Sequence, residues 1–230
     1  MLVAIHQPNY LPWPGFFHKW LLADAMVLLD TVQYHKNEWQ NRNRIKTANG
    51  AQWLTVPVTY RFPQRINEVG LAARPWARRH CAAIEQAYAR APFLDTYWPA
   101  LKEIITTPHT HLAPLNTALI RQLGGMLGCA APLYLASELG VETDDPTRRL
   151  IKLCERVGGD AYLSGREGHN YLDRNAFAAA GMALCFQEVE APVYPQLHGE
   201  FISHLSAVDL LFNLGPEAGG IVRKMGVITR

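Results

Sequence analysis

The chain has 230 residues, 49% of them hydrophobic, which is enough to bury the core of a full α/β domain. No apolar run approaches the ~20 residues of a membrane-spanning helix, and no signal peptide precedes the first predicted strand. We therefore expect a cytoplasmic protein without membrane insertion. The first 100 residues carry 11 Lys and Arg against 6 Asp and Glu. This imbalance favours a small anionic substrate and is too weak for a nucleic-acid-binding protein.

The cysteines and histidines do not predict a metal site. Cys81, Cys129, Cys154 and Cys185 are far apart and lie among apolar neighbours, as expected for reduced thiols in the core. The spacing His109-x-His111 lacks a nearby acidic partner, so we interpret these as surface histidines.

The first 30 residues predict a strand–loop–helix–strand unit. Leu2–Ile5 is apolar throughout, like a central strand of a parallel sheet, and His6 and Gln7 follow it. A proline-rich loop and an apolar helix lead to a second strand, Met26–Leu29, with Asp30 at its end. Because open α/β sheets bind ligands outside the carboxyl ends of their strands, these three polar residues are candidate ligand contacts. The alternative for His6 is that it only hydrogen-bonds the loop.

A dense polar loop follows Asp30 and leads into a predicted β-hairpin. Asn49-Gly50 is a strong hairpin turn signal, and Ile66–Leu71 alternates like an edge strand. The basic and amide side chains of this loop suit a phosphate or carboxylate, although a solvated hairpin explains them equally well. They are Lys36, Asn41, Arg42, Asn43, Arg44 and Lys46.

The middle of the chain predicts a helical insertion over 72–130 within a single α/β domain, 1–230. Helical apolar periodicity runs through three segments that start near Trp76, Phe93 and Leu112. The strand–helix alternation then returns, with Asp145-Pro146 as a helix start. Ser206 is the expected cap of a last amphipathic helix.

A glycine-containing loop follows the predicted strand Ala161–Leu163. Its sequence, Ser164-Gly165-Arg166-Glu167-Gly168, stands before another helix. Glycines at this position let the backbone approach a phosphate. An ordinary strand–helix turn is the equal alternative, unless the loop shares a cleft with the loop after Asp30.

These motifs together resemble the WbqC-like family of bacterial proteins over essentially the whole chain. The resemblance rests on four groups of residues: His6-Gln7-Pro8-x-Tyr10-Leu11-Pro12-x-x-Gly15-x-x-x-Lys19, Asp30-x-x-Gln33-Tyr34-x-Lys36-x-x-Trp39-x-Asn41-Arg42-Asn43-Arg44-Ile45-Lys46, Tyr162-Leu163-Ser164-Gly165 with Tyr171-Leu172, and Leu205-Ser206-x-x-Asp209-Leu210-Leu211-Phe212-Asn213-x-Gly215. The family is known mainly from gene clusters that make surface polysaccharide such as O-antigen.

The first unit also resembles the H-x-G-H turn of nucleotidylyltransferases and pantothenate-synthetase-like enzymes. Gly15 keeps its place, while Trp13 and Phe16 stand where the two histidines would be. Ser164 would fall near the second nucleotide-contacting loop. This resemblance implies a nucleotide site without the usual route of nucleotidyl transfer.

The expected fold is α/β, a Rossmann-like and mostly parallel sheet with the hairpin and the helical insertion beside it. The expected function is an enzyme of surface-polysaccharide biosynthesis, a transferase that modifies a nucleotide-linked sugar. The alternative is a non-catalytic nucleotide or nucleotide-sugar binding protein that assists a neighbouring enzyme. The ligand or cofactor is expected to be a nucleotide or nucleotide-sugar, and the oligomeric state is left open.

The candidate catalytic residues are His6, Asp30 and Lys36. The candidate substrate-binding residues are Gln7, Tyr10, Gln33, Asn41, Arg42, Asn43, Ser164, Gly165, Glu167 and Tyr171, and we expect one cleft to hold most of these side chains.

Overall fold

The computed structural model describes residues 1–229 and contains ten strands. They are β1 (Leu2–His6), β2 (Ala25–Leu28), β3 (Arg42–Thr47), β4 (Gly50–Thr55), β5 (Val58–Thr59), β6 (Gly70–Leu71), β7 (Leu133–Leu135), β8 (Ala161–Gly165), β9 (Ala183–Val189) and β10 (Gly226–Thr229). Six of them form the main sheet in the order β10-β9-β8-β1-β2-β7. Five neighbouring strands of this sheet, β9, β8, β1, β2 and β7, are parallel to one another. Strand β10 pairs antiparallel with β9 at the edge. The predicted mostly parallel α/β fold is confirmed.

Eight α-helices accompany the strands in residues 1–229. They are α1 (Pro14–Leu22), α2 (Trp76–Tyr88), α3 (Leu94–Thr106), α4 (Leu112–Leu127), α5 (Pro146–Arg156), α6 (Arg174–Ala179), α7 (Ala207–Leu214) and α8 (Ala218–Arg223). In residues 1–229, no helix has both the length and the apolar character to cross a membrane. The caps expected from the sequence form: the side chains of Asp145 and Ser206 accept hydrogen bonds from Arg148 N and Val208 N.

Helices cover both faces of the main sheet because its strand residues alternate between two apolar clusters. Ala4, Met26 and Leu163 face the cluster that contains α1 and the helices α2 to α4. Val3 and Val27 face the smaller cluster under α5 and α6. The helices within 72–130 therefore share one core with the sheet.

The chain order across the sheet reverses between β1 and β8. From β1 the chain moves outward to β2 and β7, then returns to the other side of β1 for β8 and β9. This doubly wound order creates a switch point between β1 and β8, where open α/β sheets form a crevice.

Two local predictions differ from the structure, and two short elements were not predicted. The hairpin of β3 and β4 pairs Thr47 with Gly50, so its two-residue turn lies at 48–49, one residue before the expected Asn49-Gly50. Ile66–Leu71 does not form one strand: Ile66–Glu68 is a 3₁₀ turn, and only β6 pairs, with β5. The short elements α8 and β10 have too few residues for a periodic sequence signal.

A buried carboxylate, Asp209, ties α7 to three other parts of the fold. It is fully buried and accepts hydrogen bonds from Tyr88 Oη (2.8 Å), Tyr194 Oη (2.7 Å) and Gln196 Nε2 (2.9 Å). Tyr88 Oη also accepts a bond from Lys46 N (3.1 Å), which brings strand β3 into the same network. Burial raises the pKa of Asp209, and these hydrogen bonds oppose that rise.

Asp209→Ala should lower the free energy of unfolding by about 3 kcal/mol or more, because it leaves several buried donors without an acceptor. Urea denaturation of both proteins measures the loss. The exposed Asp95, in the first turn of α3, is the control: Asp95→Ala should stay within about 0.5 kcal/mol of wild type. Equal stabilities for the two variants would contradict the structural role of Asp209.

Candidate functional site

A crevice of about 470 Å³ opens at the switch point between β1 and β8. We call it the switch-point crevice. Pairing between these strands ends at Ala4 and Leu163, after which β1 continues beside β2 and β8 continues beside β9. The strands part there, and their carboxyl ends form the two walls. Polar and charged residues from both walls and from α1 and α5 line the crevice: His6, Gln7, Lys19, Arg149, Ser164, Arg166, Glu167 and Gln187.

Lys19 lies at the base of this crevice and is only 3% exposed. Its Nζ donates to the carbonyl of Ile5 (3.0 Å), which no longer pairs with β8. Among residues 1–229, no carboxylate forms a salt bridge with it. Burial therefore lowers the pKa of Lys19 to about 7. Its amine can exist in both protonation states near neutral pH, as a cation for an anionic ligand or as a base.

His6 is the last residue of β1 and stands beside Lys19. Its Nδ1 contacts the carbonyl of Gln7 (2.9 Å), and its ring packs edge-on against Phe16. The hydrogen bond to a carbonyl places the proton on Nδ1 and leaves Nε2 as an acceptor. Burial and the charge of Lys19 lower the pKa of His6 to about 4. At neutral pH His6 is therefore a neutral hydrogen-bond acceptor.

The start of α1 forms another part of the crevice wall. No acidic residue lies in its first turn, and within residues 1–229 no side chain caps it. Gln187 Nε2, from β9, donates to the carbonyl of Gly15 (2.9 Å) and fixes this turn against the sheet. A side chain at Gly15 would overlap the indole of Trp13, so only glycine allows this close approach. Pro14 has no N–H and the Phe16 amide already donates to the carbonyl of Trp13 (3.1 Å), so at most the Gly15 amide of this first turn is left for an anion.

The opposite wall comes from β8 and the 3₁₀ turn that follows it, Arg166–Asn170. Ser164 is 1% exposed, and a side chain at Gly168 would overlap its hydroxyl. Gly168 therefore lets the turn fold down onto Ser164. Gly165, Glu167 and Tyr171 also line this wall.

The structure brings six of the predicted site residues together and places the others elsewhere. The six that line the switch-point crevice are His6, Gln7, Ser164, Gly165, Glu167 and Tyr171. Gln33 lines a neighbouring polar cavity of about 820 Å³ beyond β2. Lys36 is exposed on the loop that follows β2.

The remaining predicted residues have structural contacts. Tyr10 is fully buried and hydrogen-bonds His80, and both carboxylate oxygens of Asp30 accept bonds from Ser137. Asn41 donates to the carbonyl of Val56. Arg42 stacks on Trp53, with its guanidinium carbon 4.3 Å from the ring centre.

Asn43 belongs to a second cavity, of about 320 Å³, which we call the aromatic cavity. Its walls are His6, Asn9, Trp13, Trp39, Asn43 and His204. His6 and Trp13 line this cavity and the switch-point crevice. The two spaces therefore meet at His6.

Sequence reasoning did not select Lys19, Arg149 or Gln187 as site residues. A signal existed for Lys19: it is a charged residue between Phe16 and Trp20 in a short helix whose other residues are mostly apolar. Arg149 and Gln187 carried no local signal, because their place in the crevice depends on the sheet order.

In residues 1–229 no cluster of three potential metal ligands occurs. The four cysteines are free thiols, and Cys129 is half-buried while the other three are buried.

The fold and the crevice define a doubly wound α/β protein with a polar site at its topological switch point. The chain matches the model of the WbqC-like protein family over residues 7–221 and belongs to that family. It is 36% identical over 225 residues to the uncharacterized protein Rv1507c of Mycobacterium tuberculosis (strain H37Rv). The aligned region covers 96% of this chain and 97% of the relative. No solved structure matches the chain.

The burial of Lys19 predicts a pH dependence of stability. Between about pH 7 and pH 10.5 the unfolded chain holds a proton on Lys19 that the folded chain has released, so stability rises with pH in this window. Urea denaturation between pH 7 and 10 measures the free energy of unfolding. That of wild type should rise relative to that of Lys19→Met by up to about 1.4 kcal/mol per pH unit. Parallel stability curves for the two proteins would mean that Lys19 titrates normally.

Proposed function

We propose that this protein is an enzyme of bacterial surface-polysaccharide biosynthesis, a transferase that modifies a nucleotide-linked sugar bound in the switch-point crevice. The observation that carries the proposal is Lys19, a buried amine at the base of a switch-point crevice, without a carboxylate partner in residues 1–229. A buried cation without a counter-charge is costly unless a ligand supplies the negative charge. A phosphate group at this point would supply it.

The surroundings of Lys19 support a phosphorylated ligand. The Arg149 and Arg166 guanidinium groups line the same crevice. The only carboxylate that lines the crevice in residues 1–229 is Glu167, which is exposed. The positive side chains outnumber it, so the crevice favours an anion. Family membership supports the link to surface polysaccharide.

His6 supports a transfer step at the sugar end of such a ligand. Its Nε2 is an acceptor because Nδ1 is bonded to the carbonyl of Gln7. A neutral imidazole in this position can accept a hydrogen bond from the sugar amine or hydroxyl that receives a transferred group. His6 would orient this nucleophile, while the protonated form of Lys19 holds the phosphate group.

The test of binding is calorimetric titration with a panel of nucleoside diphosphates. Lys19→Gln should weaken the best ligand about 10- to 100-fold, which is the effect of losing one hydrogen bond to a charged group. Wild-type affinity should fall as pH rises above about 7, because Lys19 loses its proton, while Lys19→Gln should lack this dependence.

Arg42→Gln is the matched control, because the structure places Arg42 on Trp53 and outside the crevice. It removes one positive charge, as Lys19→Gln does, and should leave the affinity unchanged. Equal weakening by both substitutions would point to a general charge effect and count against the crevice.

The test of catalysis is turnover of nucleotide-linked amino sugars with acyl and aminoacyl donors. With a substrate found in this way, His6→Asn should lower turnover about 100-fold while nucleotide binding stays near wild type. Thermal melts establish that the variant is folded. Full turnover by His6→Asn would remove His6 from the mechanism.

The second candidate is a non-catalytic nucleotide or nucleotide-sugar binding protein. The low pKa of His6 favours it, since a weakly basic imidazole is a poor general base. Nucleotide binding that depends on Lys19, together with no turnover across the donor panel, would support this candidate over the transferase.

A further inference from the structure

The aromatic cavity differs in chemistry from the switch-point crevice beside it. Its six lining residues are two tryptophans, two histidines and two asparagines, and none is a lysine, an arginine or a carboxylate. The crevice on the other side of His6 contains Lys19, Arg149 and Arg166. A charged phosphate suits the crevice, whereas the aromatic cavity suits a neutral ligand with both apolar and hydrogen-bonding surfaces.

The aromatic rings of Trp13, Trp39 and His204 form walls of this cavity. Trp13 stacks on His204 with ring centres 5.3 Å apart and planes 24° apart. Trp39 packs against Trp53 at 5.5 Å, and 42% of Trp39 remains exposed. Trp39 lines the cavity, so it offers a large apolar surface at low cost in conformational entropy.

Asn9 supplies an unused hydrogen-bonding group in the same wall. It is only 6% exposed, and within residues 1–229 its side-chain amide makes no hydrogen bond to the protein. The amide atoms are not sealed from solvent, so they are open to a ligand that enters the cavity. Because the amide is both a donor and an acceptor, it matches a hydroxyl, which has the same two capacities.

The side chain of Asn43 already hydrogen-bonds the backbone and shapes the cavity. Its Nδ2 donates to the carbonyl of Leu11 (2.7 Å), and its Oδ1 accepts from Arg44 N (2.8 Å). Leu11 and His204, which are not glycines, both have positive φ, 42° and 57°. Such backbone strain persists only where surrounding contacts impose it, and it clusters at ligand sites.

We propose that the aromatic cavity is a sugar subsite, in which the apolar face of a neutral pyranose ring lies on Trp39 and a ring hydroxyl bonds the amide of Asn9. The subsite extends the proposed function, since it places the sugar on the far side of His6 from the phosphate group. His6 then stands between the anionic and the saccharide parts of the ligand. The binding of the sugar ring itself depends only on this cavity.

The test is saturation-transfer difference NMR with methyl glycosides of hexoses, 6-deoxyhexoses and N-acetylamino sugars, each at millimolar concentration. Wild type should transfer saturation to ring C–H protons of at least one glycoside. Trp39→Ala should abolish the signal, and Asn9→Ala should reduce it at least several-fold. Thermal melts check that both variants are folded.

Trp53→Ala is the matched control, because Trp53 is 43% exposed, packs against Trp39 and does not line the cavity. It should retain the signal. No signal from any glycoside, or an equal signal in Trp39→Ala, would overturn the subsite. Adenosine serves as a further probe: a Trp39-dependent signal from adenosine alone would assign the cavity to a nucleobase and overturn the sugar assignment.

The glycoside experiment separates the subsite from the proposed function. A glycoside signal that depends on Trp39 supports the subsite even if no nucleoside diphosphate binds, which would count against the proposed function. Conversely, tight nucleotide binding through Lys19 without any glycoside signal would leave the crevice supported and the sugar subsite refuted.

Discussion

The separation of β1 from β8 is the constraint on which the candidate site depends. Pairing stops at Ala4 and Leu163, so the carbonyl of Ile5 loses its neighbour in the sheet. Lys19 satisfies that carbonyl from α1. A backbone acceptor that would be costly to leave unpaired therefore holds an amine at the base of the crevice. The same hydrogen bond links the fold to the chemistry, because it fixes Lys19 where burial lowers its pKa.

Glycine at two positions gives the crevice its shape. Gly15 lets the indole of Trp13 fold back over the start of α1, and Gly168 lets the turn after β8 descend onto Ser164. Trp13 lines both the switch-point crevice and the aromatic cavity, and in the aromatic cavity it stacks on His204. The two spaces are consequently coupled through one side chain and through His6.

Polar loop residues that suggested an anion site mostly organise the fold. Asn41, Asn43 and Lys46 use their side chains on backbone carbonyls, and each is at most 3% exposed. Irregular chain segments need such partners, since their backbone groups have no regular ladder. The amides of Asn41 and Asn43 thus reflect side chains that support the fold. Only the tertiary contacts distinguish this role from a solvated or ligand-binding loop.

The sequence by itself determined the main helices, the central strands and the end of the sheet at which the candidate site lies. Apolar periodicity and the caps Asp145 and Ser206 were sufficient for the main helices, and the apolar run before His6 was sufficient for β1. Strand order was decided only in the tertiary structure, because pairing between β1 and β8 joins residues about 160 positions apart. That order brings His6, Ser164 and Gln187 to one crevice and takes Arg42 and Asp30 out of it. The buried state of Lys19 was also decided there, since a lysine acquires a pKa near 7 from its surroundings and not from its neighbours in the chain.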